Sequence, residues 1–224
     1  ILLSKEFLFL NTKYDLSIID ENKINLKFKF EDLERFYVEQ INVFGNFITE
    51  EKVIRNSLIV DEGDAFNKVL LDKSINSIKS RGIFKSVESK TKTSKTDNQK
   101  KVIDILVEEM PTGEVYAGAG TGTSGATFTA GVQEKNYLGK GIKLGTNILI
   151  SEEEIKGKFS VVNPNFKNTN RSLNTTLEST SSDFLSTSGF KTSRTGFSLG
   201  TGFEQYSDLY VNLDLSAYYE KLET

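Results

Sequence analysis

Cysteine, histidine and tryptophan are all absent from the 224 residues, and methionine occurs once, as Met110. Without Cys there is no disulfide, no thiolate nucleophile and no zinc-thiolate site, and without His there is no imidazole general base. Catalysis would have to come from carboxylates, Lys or Tyr. Charge of one sign is missing too: 28 basic residues against 31 acidic ones leave a net −3, so no basic field favours nucleic acid. No segment approaches the roughly 18 apolar residues of a transmembrane helix, and no signal-peptide pattern opens the chain. Residue 1 is Ile, so the sequence is expected to belong to a longer reading frame.

What is present changes character at Met110. The first 110 residues hold 37 charged side chains, and the remaining 114 hold 22. Glycine runs the other way, 3 before the break and 14 after it, and both prolines (Pro111 and Pro164) follow it. Two physical environments are joined at Met110-Pro111-Thr112-Gly113.

The first half reads as mixed helix and strand. Tyr14, Leu16 and Ile18 alternate with polar residues, as do Ile24, Leu26, Phe28 and Phe30 after the turn Asp20-Glu21-Asn22-Lys23. That pattern predicts a hairpin with one buried face. Ile41 and Val43 mark a strand ending at Gly45-Asn46, a pair suited to positive φ. Thr49 is expected to N-cap a short helix with Glu50 and Glu51 in its first turn, and Asn67 to cap a second. Leu71, Ile75 and Ile78 then share one helix face, and Gly82 suits a left-handed C-cap. Strands near Phe84 to Thr91 and Val102 to Glu108 follow, joined by the charged loop Thr93 to Lys100. The predicted order is β-α-α-β-β. The hairpin ending at Phe30-Glu31 resembles the one ending at Val107-Glu108, 77 residues later, which fits either a repeated unit or two unrelated amphipathic hairpins.

The second half has period two throughout. Glu114 to Thr121 leads, and alternating segments follow at Ala126 to Gln133, Ile142 to Ile150, Lys158 to Val161, Leu173 to Glu178, Phe197 to Phe203 and Leu209 to Ala217. Seven strands are predicted, most near the ten residues that cross a bilayer at a tilt. A soluble sandwich and a membrane barrel both satisfy such a pattern. The glycine content and the aromatics near strand ends, among them Tyr116, Tyr137, Phe166 and Tyr206, favour the barrel.

Several motif matches lack their structural context. Gly120-Thr121-Gly122-Thr123-Ser124-Gly125 has the GxGxxG spacing, but a strand and not a helix follows it, so a hairpin loop is expected. Gly139-Lys140 lacks the rest of a phosphate-binding loop. Asp61-Glu62-Gly63-Asp64 lacks the spacing of a Ca²⁺ loop. Ser151-Glu152-Glu153-Glu154 reads as a solvated turn.

A family resemblance begins at Tyr37 and runs to the end. Val38-Glu39-Gln40-Ile41-Asn42-Val43-Phe44-Gly45-Asn46 is similar to the opening strand of a POTRA domain. Val53-Ile54-Arg55, Glu62-Gly63-Asp64 and Ser80-Arg81-Gly82-Ile83-Phe84-Lys85-Ser86-Val87 match the rest of that domain at the expected spacing. Glu109-Met110-Pro111-Thr112-Gly113 stands at the family's E-x-x-x-G junction into its barrel. Gly131 to Gly141, with the core Lys135-Asn136-Tyr137-Leu138-Gly139-Lys140-Gly141, and Val162-Asn163-Pro164-Asn165-Phe166 resemble early barrel segments. The chain thus resembles the POTRA-plus-barrel family of outer-membrane β-barrel assembly factors.

The resemblance implies an α+β POTRA domain (β-α-α-β-β) followed by antiparallel transmembrane β-barrel strands. Residues 1–34 would be the C-terminal part of a preceding POTRA domain, 35–110 the membrane-proximal one, and 111–224 the N-terminal part of a barrel. The barrel is incomplete, since the family has about sixteen strands. The family inserts β-barrel proteins into the bacterial outer membrane, its POTRA domains lying in the periplasm. No enzyme activity and no cofactor are implied. The implied partners are unfolded outer-membrane proteins, accessory outer-membrane lipoproteins and the lipid bilayer. Glu62 and Arg55 would meet a lipoprotein. Glu114, Val115, Tyr116, Ala117, Gly118, Ala119, Gly120 and Thr121 would form the edge that pairs with a client strand. A sibling transporter of two-partner secretion or autotransporter assembly, a porin-like channel and a soluble sandwich are the alternatives.

Overall fold

The computed structural model describes residues 10–20, 23–32, 36–122, 125–206 and 209–224. These fall into two compact units, the first made of residues 1–44, 58–78 and 87–107, the second of 45–57, 79–86 and 108–224. The expected turns at Glu21-Asn22 and Thr123-Ser124 lie outside the described residues.

The first hairpin forms as the alternation predicts. β1 (Leu10–Asp20) pairs antiparallel with β2 (Lys23–Asp32), setting Tyr14 opposite Phe28, Leu16 opposite Leu26 and Ile18 opposite Ile24. Its apolar face is not buried, however, and all six of these residues are exposed. Two strands alone supply no second layer, and none packs on this face among the described residues.

The β-α-α-β-β order is as expected. β3 (Tyr37–Phe44), α1 (Glu51–Arg55), α2 (Lys68–Ser80), β4 (Phe84–Thr93) and β5 (Lys100–Glu109) follow in turn. The sheet order is β3-β5-β4, with β3 and β5 parallel. Leu71, Ile75 and Ile78 of α2 are buried, as are Ile103, Ile105 and Val107 of β5. Asn67 caps α2 through its Oδ1, which accepts the N–H groups of Val69 and Leu70 at 2.8 and 3.2 Å. Gly82 takes φ +67° just beyond the helix. The predicted cap of α1 does not form. Glu50 holds the N-cap position with no side-chain hydrogen bond, and Thr49 is buried with its hydroxyl engaged elsewhere.

Seven strands make up the rest: β6 (Gly113–Gly122), β7 (Gly125–Tyr137), β8 (Ile142–Ser151), β9 (Glu154–Asn163), β10 (Arg171–Phe184), β11 (Phe190–Tyr206) and β12 (Leu209–Glu223). A one-turn helix, α3 (Leu185–Ser188), joins β10 to β11. They form one antiparallel meander in strict chain order, with β6 and β12 at its two edges. β10 to β12 run 14, 17 and 15 residues, longer than the expected ten. The cross-strand register sorts side chains into two faces. One carries Val115, Phe128, Ile148, Phe159, Leu177, Phe197, Leu199 and Leu215, and the other Gln133, Lys158, Glu178, Ser198 and Asp214.

That apolar face decides between the two environments. Phe128, Ile148, Leu177, Phe197 and Leu215 are 59, 52, 52, 47 and 68% exposed. A sandwich would have covered them with a second sheet. Here the whole row is left uncovered by the described residues, as in a barrel wall that meets lipid.

Candidate strand edge and junction site

β6 is where sequence composition and topology meet. Its alternation places Val115, Ala117 and Ala119 on the apolar face, and Tyr116 and Gly118 on the polar one. All ten of its residues are exposed, and among the described residues it pairs with β7 alone. One hydrogen bond orients its backbone. The Lys135 N–H donates to the carbonyl of Thr112, which the register sets opposite it, at 3.3 Å. This makes the even-numbered residues the hydrogen-bonded partners of β7 in an antiparallel ladder. The N–H and C=O groups of Val115, Ala117, Ala119 and Thr121 therefore point away from β7.

Glycine on the polar face makes room for aromatic rings. A Cβ on Gly131 would collide with the Tyr116 ring, and one on Gly196 with the Tyr218 ring. The Arg194 guanidinium lies 3.9 Å from the Tyr218 ring centroid. Lys156 pairs with Glu178 at 3.6 Å on that face.

The two expected partner-binding residues sit in different units, each with local partners. Glu62 lies between α1 and α2, as expected. Its Oε1 accepts the Ile41 N–H at 2.9 Å, which ties the exposed loop to β3. Gly63 and Asp64 exchange backbone hydrogen bonds with Val38 at 2.8 Å each. The segment thereby covers the outer edge of β3, a role its composition did not reveal. Arg55 closes α1 and donates from Nε to Glu51 one turn earlier at 2.7 Å.

Residues that the sequence named in its motifs, without assigning them to one site, build a junction inside the second unit. The Glu109 carboxylate accepts three consecutive N–H groups, from Phe47 (3.0 Å), Ile48 (3.0 Å) and Thr49 (2.6 Å). Burial pushes this carboxyl up, but the bonds from Thr49, Ile48 and Phe47 outweigh it and hold it below the usual carboxylate range. The Thr49 hydroxyl accepts from Asn136 Nδ2 at 2.9 Å, and Asn136 Oδ1 accepts the Gly141 N–H at 2.7 Å. Glu50 N–H donates to the Gly139 carbonyl at 2.8 Å. Arg81, its pKa lowered by burial, donates to the Ser57 hydroxyl at 2.5 Å and to Asn165 Oδ1. Gly139 and Gly141 have φ of +71° and +64°, and a Cβ on either would strike Ile48 or Val53. The signal was in the sequence as Asn136-Tyr137-Leu138-Gly139-Lys140-Gly141, where two glycines frame a turn that a backbone approaches closely.

Residues 36–110 match the POTRA family (surface antigen variable number repeat), and residues 136–224 match the Omp85 superfamily domain. The outer membrane protein assembly factor BamA of Buchnera aphidicola is 29% identical over 173 residues, covering 75% of this chain and 28% of that protein. BamA of Neorickettsia risticii is 26% identical over 106 residues, or 47% of this chain and 14% of that one. The chain thus spans less than a third of these curated relatives. Among solved structures, Haemophilus ducreyi BamA lacking POTRA domains 1–3 matches with a TM-score of 0.73 at 24% identity, over 96% of this chain and 42% of that one. CdiB of Acinetobacter baumannii shares the fold at a TM-score of 0.61 and 13% identity, over 99% of this chain and 44% of that one.

Proposed function

Because this chain is a BamA-like outer-membrane protein of the Omp85 superfamily, a POTRA domain followed by barrel strands, we propose that it assembles β-barrel proteins into the bacterial outer membrane. In this reading residues 1–34 end a preceding POTRA domain, 35–110 form the membrane-proximal one, and 111–224 begin the barrel. The POTRA part lies in the periplasm, where Glu62 and Arg55 meet an accessory lipoprotein. Clients are unfolded outer-membrane proteins.

The features that support the proposal are the place of β6 as the first barrel strand, its composition and the register that turns its odd-numbered backbone groups away from β7. A client strand entering a bilayer must have its backbone groups satisfied, because lipid offers no hydrogen bonds. The outward N–H and C=O groups of Val115, Ala117, Ala119 and Thr121 supply them by strand addition. Nothing covalent changes and no cofactor is required. In a closed barrel β6 must pair with the last strand, and its own sequence keeps that seam weak. Ala117, Gly118, Ala119 and Gly120 add little side-chain packing and carry high backbone entropy.

The test is a disulfide tying β6 to the closing strand of the full-length protein. The chain contributes no native Cys to compete with the pair. Locked protein should stop inserting clients, and reductant should restore insertion. Insertion at the parental rate with the lock intact would rule out the edge as the route. A sibling transporter is the second reading, favoured by the CdiB fold match. It would instead move one dedicated substrate across the membrane and leave barrel assembly unaffected when deleted.

A further inference from the structure

Phe47 and Ile48 are 93 and 73% exposed, yet they belong to a segment fixed on both sides. Their N–H groups are bound by Glu109, and the next two residues are bound to the Asn136–Gly141 turn through Thr49 Oγ1 and the Glu50 N–H. The turn is equally constrained. Gly139 and Lys140 donate to the carbonyls of Asn136 and Tyr137 at 3.0 and 3.1 Å. Inside it Leu138 is held at φ +55°, uncommon for a bulky side chain, and is 67% exposed.

This arrangement has a direction. A register shift between Glu134 and Tyr137 sets Tyr137 opposite Ile142. Ile142 shares its face with Leu144, Ile148 and Ile150, so the shift returns Tyr137 to the apolar face of the sheet. Tyr137 is 44% exposed. Tyr137 and Leu138 thus stand at the end of β7 beside the face that meets lipid, and Phe47 and Ile48, on the segment packed against Gly139 of the same turn, complete an exposed apolar ledge. Exposed Lys140 lies beside it. Aromatic rings, aliphatic side chains and a snorkelling Lys are the composition of a membrane–water interface.

We propose that this ledge is a lipid anchor. Phe47, Ile48 and Leu138 insert into the interfacial layer of the bilayer where β7 turns into β8, and hold the segment Gly45–Ser57 against the membrane surface. The Glu109 and Asn136 hydrogen bonds pre-form the loop, so that binding orders nothing new. The proposal rests on the barrel reading and on no assumption about clients.

The chain contains no Trp, so Phe47→Trp or Leu138→Trp in the intact protein adds one emitter, read as the difference from the parent. The probe is vesicles of phosphatidylethanolamine and phosphatidylglycerol with bromine high or low on the acyl chain. Both variants should show blue-shifted emission and at least about twofold stronger quenching by the high label, as expected for side chains about 5–10 Å into the headgroup and acyl boundary. Water-like emission without lipid quenching at both positions overturns the anchor, including the case in which the ledge serves another protein. Leu213→Trp is the control, quenched by the low label if the barrel spans. Quenching at 213 but not at 47 or 138 rejects the ledge alone, whereas quenching at none rejects the barrel reading with it.

Discussion

Replacing Ala117 by Pro would separate the outer edge of β6 from its inner one. Ala117 is odd-numbered, so its N–H faces the open side and takes no part in pairing with β7. Proline deletes that donor and is tolerated on an edge whose N–H faces outward. A client carbonyl placed opposite it would lose its partner in a layer without water. An unsatisfied buried acceptor costs about 1–3 kcal/mol, a roughly 5- to 160-fold weaker pairing. Gly118→Pro is the internal contrast, because it removes a donor to β7 and should loosen the wall itself. Ala117→Val keeps the donor and should be close to neutral. The assay is the rate at which reconstituted protein converts an unfolded client to its heat-modifiable, protease-resistant form. Heat modifiability of the protein's own barrel is read in parallel. If Ala117→Pro gives a folded barrel and inserts clients at the parental rate, backbone templating at β6 is wrong.

Leu213 shares the apolar face with Leu199 and Leu215, while Asp214 lies over Gly200 on the polar one. Arg at Leu213 should cost about 2–4 kcal/mol near mid-bilayer and Arg at Asp214 much less, measured by the yield of heat-modifiable barrel. Equal losses would mean the two faces are assigned the wrong way. For Glu62 the informative change is Gln, which keeps an acceptor for the Ile41 N–H but removes the charge. Glu62→Gln should leave POTRA stability within about 0.5 kcal/mol and weaken lipoprotein co-purification. If only Glu62→Lys fails in the pull-down, the residue braces β3 and does not meet a partner.

The elements legible in the sequence were those governed by a local period. Alternation gave the seven-stranded meander, and the Asn67 and Gly82 signals framed α2, because each depends on residues within a few positions of one another. Burial was not legible in the same way. Tyr14, Leu16 and Phe28 have the pattern of a buried face and are exposed, since pattern shows which side is apolar and not what covers it. Thr49 failed as a cap because a residue 87 positions away, Asn136, claims its hydroxyl. Glu109 was visible as a junction residue, but not as an acceptor for three N–H groups some 60 positions earlier. The edge strand was legible in composition. Which of its N–H groups face outward required the register.

In the meander every strand hydrogen-bonds only to its immediate neighbours in the chain. Contacts of short sequence separation form early and fast, so the wall can grow hairpin by hairpin without waiting for distant segments. Its first strand is then committed on one side from the start and unpaired on the other until the final strand arrives. On the proposed function, a barrel that grows in this order would pass through an unfinished state with a free leading edge, the same condition in which its proposed clients would reach it.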